Sequence, residues 1–185
     1  MLDLKKINND WTLFLDRDGV INHEKDQDYI YHYDEFNFYE GVREALQYLS
    51  TKFGKIIIIT NQRGVGRKLM TEEDLLSIHE QMLADIEVSG GRVHKIYYCV
   101  ANDDSHPNRK PNAGMAREAL RDFPEIDLER SIMVGNSMSD MQFGRNAGMF
   151  TVFVRTTDPD QVFPHPSIDL AFVDLPDFAK ALQDT

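Results

Sequence analysis

The chain reads as an α/β protein, a Rossmann-like three-layer sandwich with helices on both faces of a central parallel sheet. Three observations predict this. Short apolar runs alternate with helix-periodic stretches along nearly the whole length, the pattern of successive strand–helix units. The run Ile56-Ile57-Ile58-Ile59 is apolar at every position, as suits a central strand covered on both sides. Polar clusters follow four of the apolar runs, and parallel sheets bind ligands at the carboxyl ends of their strands.

The elements follow in order. Residues 11–16 form an apolar run ending in aspartate and predict the first strand. A helix is expected over 42–49, with Gly54 ending its trailing turn, and a second strand over 55–60. Thr71 is a candidate N-cap, and Glu72, Glu73 and Asp74 suit the positive end of the helix dipole. Leu75, Ile78, Met82 and Ile86 carry that helix's apolar stripe to Gly90-Gly91. His79 borders the stripe and reads as packing. A strand over 93–100 and a polar loop to Lys110 come next, then a helix over 113–121 with Asn112 as candidate cap. Residues 131–135 predict a strand, 138–146 a helix, 150–155 a strand and 170–173 a last strand.

The totals set bounds. No linker, repeat or low-complexity stretch divides the 185 residues, so 1–185 are expected to form a single domain. A formal charge of −11 argues against nucleic acid, which is bound through clustered lysine and arginine. It also repels anionic substrates at long range, so a phosphate site needs local cations. One cysteine, Cys99, excludes an intrachain disulfide and fits a reducing compartment. The first ten residues are too polar for a signal peptide, and no apolar run approaches the ~20 residues of a membrane span. A cytoplasmic, monomeric protein is expected.

Four constellations carry candidate chemistry. Asp16-Arg17-Asp18-Gly19-Val20 puts two carboxylates where a strand meets a turn, so that Asp16 can attack phosphorus while Asp18 protonates the leaving oxygen. Taken alone, the pentapeptide equally suits an Asx-type turn. Thr60-Asn61-Gln62-Arg63-Gly64-Val65-Gly66-Arg67 offers a hydroxyl, backbone amides and two cations to a phosphoryl group, or else is a glycine-rich surface turn. In Arg109-Lys110-Pro111, Lys110 can neutralise Asp16 and the transferring group together. Gly135-Asn136-Ser137-Met138-Ser139-Asp140 suits magnesium, with Asp16 and Asn136 as direct oxygen ligands and Asp140 outside them. Each cluster has an ordinary surface explanation; four in succession, each needing the others, point jointly to phosphoryl transfer.

In this order the residues resemble the haloacid dehalogenase superfamily of magnesium-dependent phosphatases, with Asp16/Asp18, Thr60, Lys110 and Asn136/Asp140 on its four motifs. The closer resemblance is to the family of heptose 1,7-bisphosphate 7-phosphatases and histidinol-phosphate phosphatases. Residues 14–22, Asp28-Tyr29, Thr60-Asn61-Gln62, Tyr97-Tyr98-Cys99, Arg109-Lys110-Pro111, Gly114-Met115, Val134-Gly135 and Asp140-Met141 carry it. The resemblance implies a haloacid-dehalogenase-like fold with catalytic Asp16, Asp18, Thr60 and Lys110. It implies magnesium held by Asp16, Asp18 through its carbonyl, Asn136 and Asp140. Arg109, Asn61, Gln62, Arg63 and the loop Glu24, Lys25, Asp26 and Gln27 fall on substrate-lining positions. The expected substrate is a small phosphosugar, a heptose bisphosphate, with histidinol phosphate as rival. A phosphosugar-binding module without catalysis is the alternative of another class, disfavoured because both Asp16 and Asp18 are kept.

Two departures stand out. The family places aspartate where this chain has Asn136, removing one negative charge from the metal site. Many relatives hold a structural zinc before Arg109 with three cysteines and a histidine. Here only Cys99 and His106 remain, too few for a tetrahedral site, so no structural zinc is expected and Cys99 reads as a buried thiol. There is no room for a separate cap domain, which leaves residues 22–39 and 101–108 to shape the entrance. The aromatic residues of the first segment are read as its anchors.

Overall fold

The computed structural model describes residues 2–25 and 28–185. Its elements are β1 (Thr12–Leu15), α1 (Val42–Lys52), β2 (Lys55–Asn61), α2 (Arg63–Gly66), α3 (Glu72–Val88) and β3 (Lys95–Cys99). Then come α4 (Gly114–Asp122), β4 (Ser131–Gly135), α5 (Met138–Ala147), β5 (Phe150–Val154), β6 (Leu170–Phe172) and α6 (Leu175–Gln183). The six strands form one sheet in the order β3-β2-β1-β4-β5-β6, and every pair is parallel. The chain winds outward through β2 and β3, then crosses back to β4 on the other side of β1. The rim between β1 and β4 is therefore the topological switch point, where open parallel sheets bind ligands. Leu15 pairs with Ile58 on one side and Val134 on the other, so Asp16, Thr60 and Asn136 emerge at one rim.

Alternation decides the core. Leu13, Leu15, Ile56, Ile58, Ile132 and Val134 face α1, α3 and α6, while Phe14, Ile57, Ile59 and Met133 face α4 and Phe143 of α5. Ile56 to Ile59 are wholly buried, each contributing roughly 1.5–3 kcal/mol relative to exposure. The expected anchoring of the segment after β1 is visible here. Val20, Ile21, Ile30 and Phe36 join the first of these cores, with Tyr31, Tyr33 and Phe38 against it.

The predicted capping box of α3 is formed by Thr71 and Asp74. Asn112 is a correction: α4 is preceded by Ala113 with no side-chain cap, and Asn112 instead donates to the carbonyls of Asp104 and His106, tying down the loop. The strand expected over 93–100 shortens to β3, with His94 turning its ring to accept the Ile56 amide at 3.1 Å. Two helices were not anticipated. Gly64 and Gly66 lie in α2, where a Cβ would meet the Tyr29 ring and the Val100 carbonyl respectively, so they permit close packing. Helix α6 is capped by Asp174, carries Pro176 in its first turn and buries Leu175, Phe178 and Leu182. No helix among the described residues is long and apolar enough to cross a membrane.

Candidate active site

Lys110 enters from the loop before α4 with its side chain almost wholly buried. Its Nζ lies 2.8 Å from Asp16 Oδ1, 2.6 Å from Asp140 Oδ1 and 3.1 Å from the Ile59 carbonyl, which uses all three ammonium donors. The other Asp140 oxygen accepts from the Ser137 amide and hydroxyl at 3.0 and 2.7 Å, in the capping box that starts α5. Asp140 thus faces Lys110 and its own helix, with both oxygens engaged.

One cation here serves two carboxylates, Asp140 wholly buried and Asp16 mostly so. Burial first, and then the Asp140 charge, push Asp16 up to about 8 even though Lys110 pulls the other way. Burial also opposes the charge on Lys110, but Asp140 and Asp16 outweigh it and hold the ammonium above its ordinary value. Lys110 is consequently a firm cation, and Asp16 is short of positive charge.

Asp18 has the opposite environment. Burial is the largest single influence and raises its pKa, but the Arg17 charge and hydrogen bonds from Arg17, Asn22 and Gln62 together bring it below the usual range. Arg17 Nη2 donates to both Asp18 oxygens at 2.8 and 3.0 Å, and Nε to Oδ1 at 3.2 Å. Asn22 Nδ2 reaches Oδ1 at 2.9 Å, and Gln62 Nε2 reaches Oδ2 at 2.8 Å and Thr60 Oγ1 at 2.8 Å. Gln62 therefore couples Thr60 to Asp18.

Asn136 supplies a test for a metal. Its Nδ2 donates to Thr157 Oγ1 at 2.8 Å, while Oδ1 is buried with no hydrogen-bond partner. An orphaned buried carbonyl oxygen is costly unless something fills its lone pairs. Gly19, at φ +83°, lies so close that a Cβ would fall 2.1 Å from Asn136 Nδ2. This glycine combines a left-handed turn with a close approach, and its carbonyl accepts from Thr156 Oγ1. An oxygen donor set of carboxylate, carbonyl and amide fits a hard divalent cation.

A cleft of about 280 Å³ brings together Asp16, Asp18, Glu24, Thr60, Arg109, Lys110, Asn136 and Asp140, and Asn61 also lines it. A neighbouring hollow of about 190 Å³ adds Arg17, Lys25 and Gln62. Asn61 exchanges two hydrogen bonds with the Lys110 backbone, at 3.1 and 3.2 Å, and so holds the lysine loop to β2. Arg109 and Arg63 both bond Asp104, and Arg109 also donates to the Ala101 carbonyl. Arg67 lies over the Tyr29 ring instead. Lys25 pairs with Glu35 at 2.8 Å. Asp26 and Gln27 fall outside the described residues. Cys99 is buried, with Sγ 3.6 Å from His106 Nδ1.

Sequence reasoning passed over Arg17, Asn22, Ser137 and Thr157. Arg17 carried a signal: an arginine between two aspartates, followed by apolar Val20-Ile21, folds inward with its partner.

Comparison with known proteins adds to this geometry. A family model described as polynucleotide kinase 3 phosphatase matches residues 6–163. The D-glycero-alpha-D-manno-heptose-1,7-bisphosphate 7-phosphatase of Campylobacter jejuni is 37% identical over 143 residues, 77% of this chain and 81% of its own length. The D-glycero-beta-D-manno-heptose-1,7-bisphosphate 7-phosphatase of Photorhabdus laumondii is 34% identical over 181 residues, 93% of this chain and 95% of its own. Among solved structures, D,D-heptose 1,7-bisphosphate phosphatase from B. bronchiseptica, complexed with magnesium and phosphate, has a TM-score of 0.84 at 29% identity. That match covers 94% of this chain and 98% of the other.

Proposed function

Because the chain belongs to the polynucleotide kinase 3 phosphatase family of haloacid dehalogenase-type phosphatases, we propose that it removes the 7-phosphate of D-glycero-D-manno-heptose 1,7-bisphosphate. The observation that carries the reading is Asp16, a mostly buried carboxylate at the switch point that shares Lys110 with Asp140. A nucleophile so placed calls for a further cation and suits a phosphoryl group that brings one.

Asp16 attacks phosphorus as the bond to the leaving oxygen breaks, and Asp18 gives that oxygen its proton. The aspartyl phosphate formed is then attacked by water, whose proton returns to Asp18 as phosphate leaves. The donors around Asp18 favour its carboxylate, the form that accepts the water's proton. The incoming phosphate dianion raises its proton affinity for the first step. Thr60 bonds a phosphoryl oxygen, the Lys110 charge stabilises the group, and Asn61 keeps the lysine loop in place. Arg63 and Arg109 recognise the remainder of the substrate, with Glu24, Lys25 and Gln62 lining its entry. Asp16, the Asp18 carbonyl and Asn136 would hold magnesium, with Asp140 outside that set. Bound there, magnesium supplies positive charge to Asp16 and to the phosphoryl oxygens.

The reading includes a single-domain monomer in the cytoplasm without structural zinc; stoichiometric zinc in metal analysis would overturn the last point. The family description names a polynucleotide phosphatase, but a charge of −11 opposes a nucleic-acid substrate. The test is phosphate release with magnesium from the alpha and beta anomers of heptose 1,7-bisphosphate and from histidinol phosphate, with Asp16→Asn as control. Fast, Asp16-dependent release from a heptose anomer is expected. Preference for histidinol phosphate would move the substrate and keep the mechanism. No release from any of them, with wild type matching the variant on generic esters, would leave a binding module.

A further inference from the structure

Arg17 is 1% exposed and is among the largest wholly buried side chains of the molecule. Its Nε and Nη2 are spent on Asp18. Its Nη1 lies 3.1 Å from Nε2 of His79 on α3, 62 residues further along the chain. A guanidinium has five donors in a fixed fork and no acceptor, so burying it demands partners in more than one direction. His79 is that second partner. It sits in the buried stripe with Leu75, Met82 and Ile86, and the Tyr98 ring meets it edge-on with centroids 5.7 Å apart. Burial and then the Arg17 charge push His79 down to about 3, so its ring is neutral and Nε2 offers a lone pair. Nothing in packing alone requires a histidine in that stripe.

We propose that His79 is a positioning residue for phosphoryl transfer: by accepting from Arg17 it fixes the guanidinium that aims the Asp18 carboxyl at the leaving oxygen. The inference rests on Asp18 as the acid and base of the proposed reaction. It makes a claim a structural role does not. In the first step, formation of the aspartyl phosphate, which kcat/KM reports, a misaimed acid harms a substrate whose leaving oxygen must be protonated, such as an alkyl phosphate, and spares p-nitrophenyl phosphate, whose leaving group departs as a stable anion.

The experiment measures kcat and KM of wild type, His79→Leu, His79→Gln and Asp18→Asn with magnesium. The substrates are heptose 1,7-bisphosphate, glycerol 3-phosphate and p-nitrophenyl phosphate. His79→Leu is expected to lower kcat/KM on the alkyl phosphates by about tenfold, a fraction of what a general acid supplies, with kcat/KM on p-nitrophenyl phosphate within about twofold of wild type. His79→Gln, whose amide oxygen can accept from Arg17, is expected to recover most of the loss. The ratio of the two substrate classes is read on one preparation, so the folded fraction cancels. Should His79→Leu not fold, His79→Asn, too short to reach Arg17, replaces it.

Equal losses of kcat/KM on both classes, or no loss on either, would overturn the inference. Asp18→Asn separates two failures. If its kcat/KM discriminates between the classes and that of His79→Leu does not, the inference alone falls. If Asp18→Asn depresses kcat/KM equally on both classes, the acid reading falls and the inference with it.

Discussion

The two ends of the sheet carry comparable numbers of charged residues and use them differently. At the amino ends of the strands a cavity of about 430 Å³, larger than the cleft at the other rim, is lined by Asp10, Trp11, Lys55, Glu125 and Arg130 among others. Its ions meet at the surface: Lys55 with Glu125 at 2.6 Å, and Arg130 with Asp127 at 3.7 Å and Asp10 at 4.0 Å, with all three acids more than half exposed. Water screens such pairs, and each contributes about 0–1 kcal/mol. At the carboxyl rim the cleft is smaller, but Lys110, Asp140 and Arg17 are buried and each cation serves more than one neighbour. Volume alone would point to the amino ends. Desolvated, shared charge points to the carboxyl rim, because an ion is held there in a state that chemistry can exploit.

Substitutions can break this comparison. The largest effect is expected from Asp16→Asn, which should cut turnover by on the order of 10⁴-fold or more while leaving the fold intact. Residual activity within tenfold of wild type would place the nucleophile elsewhere. Next is Lys110→Met. Removing one partner of a buried ion set costs about 3–5 kcal/mol, and denaturant unfolding should show it. The matched change at the other end, Lys55→Met, is expected to cost under about 1 kcal/mol. The Lys110→Met loss should also shrink as pH falls from 8 to 5 and Asp16 takes up a proton. Equal losses at the two ends would erase the distinction.

A pH series sharpens it further. His79 is held neutral in the fold, with its pKa depressed to about 3 from the ordinary 6.5 of a histidine. Between those values the unfolded chain binds a proton that the folded chain refuses. The contribution is therefore fully present above pH 6.5 and lost as pH falls toward 3, by up to a few kcal/mol. The stability difference between wild type and His79→Gln should follow that window, and a flat difference would contradict it. The smallest effect concerns the metal. Asn136→Asp restores a negative charge beside Asp16 and is expected to tighten magnesium binding by about tenfold, ~1.4 kcal/mol, in calorimetric titration. An unchanged affinity would mean that the Asn136 oxygen does not face the ion.

Much of the fold was legible because its signals are local. The β-branched run of β2, the Thr71 cap and the apolar stripe of α3 each depend on residues within a turn or two of one another. Helix α6 carries the same local signals in Asp174, Pro176 and its buried stripe, and is legible on the same grounds. Asn112 misled because a polar residue before a helix has two uses, and the loop's unpaired carbonyls claimed it. At the site, the spacing of aspartates and the lysine marked the chemistry. Asn61 and Gln62 stood out only as polar residues after a strand; that one holds the Lys110 backbone and the other joins Thr60 to Asp18 depends on the fold.

By itself the sequence determined which segments become strands and helices, and which carboxylates stand at the ends of the strands. Periodicity, capping and turn chemistry act over a few residues and need no knowledge of the rest. Only the tertiary structure decided how the charges are shared. Whether Lys110 compensates Asp16 or Asp140, whether Arg17 turns inward, and whether the Asn136 oxygen keeps an unfilled lone pair depend on the strand register and on where α3 crosses β1. The energy of an ion is set by everything within several ångströms of it, solvent included, and chain distance carries no record of that neighbourhood.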